Sequence, residues 1–97
     1  MLEMRTVLKK IKPEENCFRY YEMVLYPKNQ SYYVEFKWGR LHGSIVPKWV
    51  KRKELKFTDS NQALKVVMKK LKEKQGRGYL LGICYKNKKI VKSVKKL

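Results

Sequence analysis

The chain has 97 residues, 43% of them hydrophobic, and carries 25 lysines and arginines against 8 acidic residues, for a formal net charge of +17. That length suits one domain, residues 1–97, around one small core, and no apolar run approaches the length of a membrane span. Its two cysteines, Cys17 and Cys84, stand far apart and in no metal-binding spacing; with no apolar leader at the N-terminus, the expectation is a reduced, cytoplasmic protein.

Met1 to Ile11 alternates loosely, Val7, Lys9 and Ile11 against Leu8 and Lys10, and reads as a short edge strand. Lys12-Pro13-Glu14-Glu15-Asn16 is a turn, because proline fixes φ and asparagine tolerates turn geometry. Cys17 to Tyr26 reads as a strand with Tyr21, Met23 and Leu25 in one apolar row, and Arg19 shares that parity near the strand's start. Pro27-Lys28-Asn29-Gln30-Ser31 then joins this strand to the next as a hairpin.

The next strand, Tyr32-Tyr33-Val34-Glu35-Phe36-Lys37-Trp38, is apolar at every position of one parity, the signature of one buried face. Gly39 is expected to end it in a tight turn that presents Trp38 beside Arg40. An indole suits a sugar or base face and a guanidinium suits a phosphate. By parity Trp38 also fits the core with Val34 and Phe36, and both placements stay open here.

Leu41-His42-Gly43-Ser44 is a second turn. Ile45 to Phe57 reads as a long strand, bulged because Pro47 cannot donate to a ladder. Within it Trp49 sits in the run Lys48 to Lys53. Stacking by Trp49 with phosphate pairing by Lys51, Arg52 and Lys53 is one reading; Trp49 in the core with the cations in water is the other.

Asp59 is a good N-cap, and Gln62 stands at capping-box spacing. Ala63, Leu64, Val67, Met68 and Leu71 make one apolar stripe of a helix expected to pack on the sheet. Lys65, Lys69, Lys72 and Lys74 fall on its other faces, and Gly76 and Gly78 supply its stop. Tyr79–Tyr85 and Ile90–Leu97 read as a basic C-terminal hairpin, with a bulge or close backbone approach at Gly82.

The charge is uneven. Residues 1–36 hold six basic and five acidic groups, whereas residues 37–97 hold nineteen basic and three acidic ones. Self-repulsion on that scale disfavours the folded state; a polyanion is the usual compensation, nucleic acid before an anionic membrane surface, and a merely solubilising lysine-rich surface is the alternative. Catalytic patterns are weak by comparison. His42 is the only histidine, the acids are scattered, and a zinc site from His42, Cys17 and Cys84 would need a coincidence of fold. The expectation is a non-enzymatic protein without metal or cofactor.

The order strand, strand, strand, helix, together with Trp38-Gly39-Arg40, Asn16, Arg19-Tyr20-Tyr21, Phe57, Asp59, Ala63, Lys74 and Gly78-Tyr79, resembles a WGR domain over roughly residues 8 to 79. The lead-in Leu8 to Asn16 is similar to that of small free-standing bacterial members. The module is best known from DNA-dependent poly(ADP-ribose) polymerases, where it recognises DNA breaks beside a catalytic domain. The resemblance implies that Trp38 packs on a terminal sugar and that Arg40, Asn16 and Tyr79 hold backbone or terminal phosphate; the motif arginine can also serve domain contacts. Two features depart from the family pattern: the long interval from Trp38 to Phe57, and the extension 80–97.

The combined expectation is an α+β fold, an antiparallel sheet with one helix across a face plus the basic hairpin. Its function would be binding DNA through backbone and strand-end contacts with little sequence specificity. Trp38, Arg40, Asn16, Tyr79, Arg19, Lys37, Trp49, Lys51, Arg52, Lys53 and Arg77 are the contact candidates. Two rivals stay open: an RNA-binding factor, and an adaptor that docks a partner protein through Trp38-Gly39-Arg40. Membrane-surface binding is not expected, because the helix's apolar side is needed for the core.

Overall fold

The computed structural model describes residues 3–41, 51–86 and 89–93, with side chains up to residue 82. His42, Pro47, Trp49 and the expected strand start at Ile45 lie outside the described residues, as do 87–88 and 94–97 of the expected C-terminal hairpin.

Five antiparallel strands, β1 (Met4–Lys12), β2 (Cys17–Lys28), β3 (Ser31–Arg40), β4 (Lys51–Phe57) and β5 (Leu80–Lys86), stand in the order β4-β3-β2-β1-β5. One helix, α1 (Ser60–Gly76), crosses a face of this sheet against β2, β3 and β4. The architecture is the expected α+β one. The β2–β3 hairpin closes through Asn29 and Gln30, both at positive φ (51° and 61°), the backbone that a two-residue hairpin turn requires. Between β1 and β2 a short 3-10 turn, Pro13–Glu15, ends on Asn16 in the left-handed region, which asparagine tolerates better than most residues.

Alternation on β2 and β3 does what the sequence pattern predicts. Met23, Leu25 and Val34 are fully buried, Tyr21 and Phe36 nearly so, and Arg19 at the strand's start is exposed. These residues meet Leu8, Ala63, Val67, Tyr79 and Leu81 in one core. Burying a side chain of this size stabilises by about 1.5–3 kcal/mol. Asp59 caps α1, its carboxylate accepting from the Asn61 N–H at 2.9 Å. Gly78 follows the helix at φ +95°, a conformation that costs other residues strain.

Three expectations are corrected. First, β1 is no edge strand: β2 pairs along one side of it and β5 along the other. Its buried residues are Met4, Thr6 and Leu8, so a buried threonine blurred the apolar alternation. Second, Gly39 does not turn the chain. β3 runs through it to Arg40, with Gly39 opposite Tyr20 and Arg40 opposite Arg19; glycine permits a turn but does not impose one. Third, Met68 is 47% exposed, while Val66 packs against the core. The helix is therefore rolled toward Val66 relative to the expected stripe. The close approach anticipated at Gly82 is present: the β1–β5 register shifts there, and a Cβ would stand 3.5 Å from the Val7 carbonyl oxygen.

These burials make a checkable contrast. Leu25→Ala should cost about 2–5 kcal/mol in urea unfolding, while Met68→Ala should stay within about 0.5 kcal/mol of wild type. Comparable losses from the two would return Met68 to the core and refute the observed roll of α1.

Candidate nucleic-acid interface

Tyr21 on β2 lies opposite Trp38 on β3, and Phe36 is the next residue of β3 on the same face. Their rings gather: Tyr21 is 6.2 Å from Trp38 and 6.3 Å from Phe36, centroid to centroid. Tyr79, just past the helix, packs edge-on to Tyr21 at 6.4 Å and 71°. The last turn of α1 is tied to this cluster through one residue. The Lys74 carbonyl accepts the Tyr79 N–H at 3.0 Å, and its ammonium sits 4.6 Å from the Tyr21 ring centroid and 5.4 Å from that of Tyr79. Such cation–π contacts contribute on the order of 0.5–2 kcal/mol each.

Between this end of α1 and strands β3 and β4 lies a groove of about 490 Å³. Tyr21, Phe36, Trp38 and Leu55 form its floor, Lys53 one wall, and Val66, Lys69, Lys70, Glu73 and Lys74 the other. Trp38 keeps an intermediate exposure, whereas Tyr21 and Phe36 beneath it are 6% and 4% exposed. Trp38 thus combines the two placements left open by its parity: it packs on the core and still shows a face to the groove.

Among the described residues, cations outnumber anions around the groove. Burial, with Arg77 and Lys70 near by, holds Lys74 below the ordinary lysine range, and Glu73 only partly opposes this. Glu73 is itself shared between Lys70 at 3.6 Å and Arg77 at 3.7 Å. Burial also pushes the Tyr21 hydroxyl up to about 12, with smaller contributions from Glu73 and Tyr79. Tyr79, 9% exposed, is raised by burial while Arg19 acts the other way.

A second niche, of about 290 Å³, opens at the β1–β2 turn and the end of β3. There Arg40 Nη2 donates to Asn16 Oδ1 at 3.0 Å and Nη1 donates to the Asn16 carbonyl oxygen at 3.4 Å. The guanidinium lies 5.5 Å from the Phe18 ring centroid. Arg40 is therefore exposed but engaged, tying the strand end to the turn.

The sequence candidates divide accordingly. Trp38 and Lys53 line the groove, and Lys51, opposite Trp38 in the β3–β4 register, is exposed beside it. Arg19 joins the two niches, lining the second and lying beside Tyr79. Arg77 is exposed past the helix end and paired with Glu73. Lys37 and Arg52, opposite each other in register, have the alternate parity and so belong to the reverse face of the sheet, where Lys37 pairs with Glu35 at 3.4 Å. Lys69, Lys70 and Lys74 were not singled out from the sequence as contacts. Their signal was present, since the row Val66, Lys70, Lys74 flanks the stripe Ala63, Val67, Leu71 at helical spacing, but it acquires meaning only once Trp38 stands opposite. Among the described residues no group of three metal-ligating side chains gathers.

A model of the WGR domain family matches residues 4–82. No curated protein and no solved structure gives a match.

The buried hydroxyl of Tyr21 gives a pH prediction. Its folded pKa lies above the ordinary tyrosine value of about 10, so the unfolded chain loses this proton first and stability falls as pH rises. The contribution should be whole below pH 10 and lost progressively toward about 12. Unfolding followed across that range should show a decline that Tyr21→Phe lessens. A decline unchanged in Tyr21→Phe would show that Tyr21 is not the residue responsible.

Proposed function

The chain belongs to the WGR domain family, a family of nucleic-acid-binding modules, and from that premise we propose that it binds DNA through the sugar-phosphate backbone and at strand ends. The observation that carries this reading is the half-exposed Trp38 on the floor of a groove walled by lysines from both the sheet and the helix. Trp38 would pack on a sugar or base exposed at an end, as base–aromatic contacts do elsewhere. Lys51, Lys53, Lys69 and Lys74 would take phosphates, releasing counterions. Arg40 and Asn16 would act as one hydrogen-bonded unit on a terminal phosphate, with Arg19 alongside. Contacts of this kind position the duplex without reading its sequence.

On this reading the protein performs no catalytic step, carries no cofactor and works inside the cell at its DNA. Among the described residues no helix is long and apolar enough to cross a membrane. We further propose that the C-terminal segment completes a basic hairpin, with Lys89–Ser93 running antiparallel to β5 along the outer edge of the sheet, as an additional cationic flank.

The test is binding of a blunt duplex, with and without a 5′ phosphate, compared with a covalently closed hairpin-ended duplex, single-stranded DNA and duplex RNA at two salt concentrations. Affinity should fall by orders of magnitude between low and physiological salt, with a logarithmic slope of about −0.9 per phosphate neutralised on duplex DNA. Open DNA ends should bind better than closed ones, and Trp38→Ala should remove that preference. A preference for duplex RNA would make the protein an RNA-binding factor. Absence of binding at physiological salt would favour an adaptor that docks a partner protein.

A further inference from the structure

The groove has one feature that a site for duplex DNA or for a single phosphate does not need: its cations repeat along its length and stand on both walls. Lys70 and Lys74 are one helical turn apart, about 5–6 Å between Cβ atoms, with Lys69 beside them. Lys53 faces them from β4 across the aromatic floor. Among the described residues four lysines meet one glutamate in this groove, and that glutamate is divided between Lys70 and Arg77. Among the described residues Lys53 and Lys69 make no ion pair. The charge is therefore spaced for a polymer of phosphates and is only partly neutralised internally, by Glu73.

Size decides what kind of polymer. The groove holds about 490 Å³, the scale of a cleft that takes a small ligand, about 300–1,000 Å³, and not of a surface that cradles a whole double helix. A duplex end can meet its mouth, while an unpaired strand can lie along it with its bases free to stack. Of the three aromatic rings on the floor only Trp38 is appreciably exposed, so the groove offers one stacking face flanked by phosphate contacts. Among the described residues no asparagine or glutamine lines it, so these walls leave base edges unread. Aromatic stacking within a cationic channel is how proteins hold single strands without sequence preference.

We propose that the groove between α1 and β3–β4 holds the unpaired overhang of a DNA end, with the adjoining duplex outside it. This deepens the DNA-binding reading above and rests on it. The overhang's first unpaired base or sugar lies on Trp38, and its phosphates run between Lys53 and the Lys69–Lys70–Lys74 row.

The experiment uses the full chain and one duplex sequence in several forms: hairpin-closed, blunt, and with overhangs of one, two or four nucleotides on the 3′ or the 5′ strand. Binding is read by fluorescence anisotropy at several salt concentrations for wild type, Trp38→Ala and the pair Lys53→Gln/Lys69→Gln. Overhangs should bind at least about tenfold tighter than the blunt end, the scale of one stacked base. The salt slope should steepen by about 0.7 for each overhang phosphate engaged. In Lys53→Gln/Lys69→Gln that steepening should shrink, by about 1.4 for an overhang long enough to place one phosphate on each lysine, and with it the ratio of overhang to blunt affinity. Both lysines are exposed, and an unaltered urea midpoint establishes that the variant is folded. Equal affinity for overhang and blunt ends, both above the closed duplex, would overturn the inference and leave the end-binding reading standing. An overhang advantage undiminished by Lys53→Gln/Lys69→Gln would place the unpaired strand elsewhere and also overturn it. No advantage of any open end over the closed duplex would remove both readings.

Discussion

The ring of Tyr21 is the point on which the candidate interface depends. It lies where the sheet, the end of α1 and the start of β5 converge. Trp38 and Phe36 stand on one side of it, Tyr79 on another, and the Lys74 ammonium lies over its face. Lys74 closes the arrangement from the helix, since its backbone accepts from Tyr79 while its side chain covers both tyrosines. Ala63, Val67 and Leu71 seat α1 on the sheet, and this node adds the hold on its last turn above β3. The groove owes its width to the height so fixed, and Trp38 owes to it a face that is supported from behind yet reachable from solvent.

The distribution of charge follows from the same geometry. The near-neutral first third of the chain supplies β1, β2 and most of β3, whose alternate residues must be buried. The basic remainder supplies β4 and α1, which contribute less to the core and more to the groove walls. Crowding lysines around a buried aromatic cluster has a cost, visible in Lys74, which desolvation and its cationic neighbours hold below the usual lysine range. A polyanion in the groove would reverse that cost. With a polyanion bound there, folding and binding would be coupled through electrostatics, as expected for a protein of such high net charge.

Local patterns carried much of this fold in the sequence. The alternation on β2 and β3, the polar hairpin connection between them and the Asp59 cap each rest on chemistry within a few residues and each appears as expected, with the connection shortened from the expected Pro27–Ser31 to Asn29 and Gln30 alone. Features set by tertiary pairing were not legible. β1 is interior because β5, more than seventy residues later, pairs with it, and nothing in residues 1–11 announces that partner. Arg40 is engaged by Asn16 across 24 residues, a contact that a reading of adjacent residues misses. Gly39 shows the limit of residue-type rules, since the extended β3 backbone passes through a glycine that could have turned. The site was half legible: Trp38 and Lys53 stood out by type and spacing, whereas Lys69, Lys70 and Lys74 become part of it only because α1 lies across β3.

The central claim is that nucleic-acid ends meet this protein at Trp38, and that residue reports on itself. The chain has two tryptophans, so Trp49→Phe leaves Trp38 as the sole indole emitter. Titrating that variant with open-ended duplex should quench its emission and shield it from acrylamide, while hairpin-closed duplex of the same sequence should do so much less. Emission and acrylamide access that stay unchanged while open-ended DNA binds would contradict the account, because the DNA would then be held away from the groove.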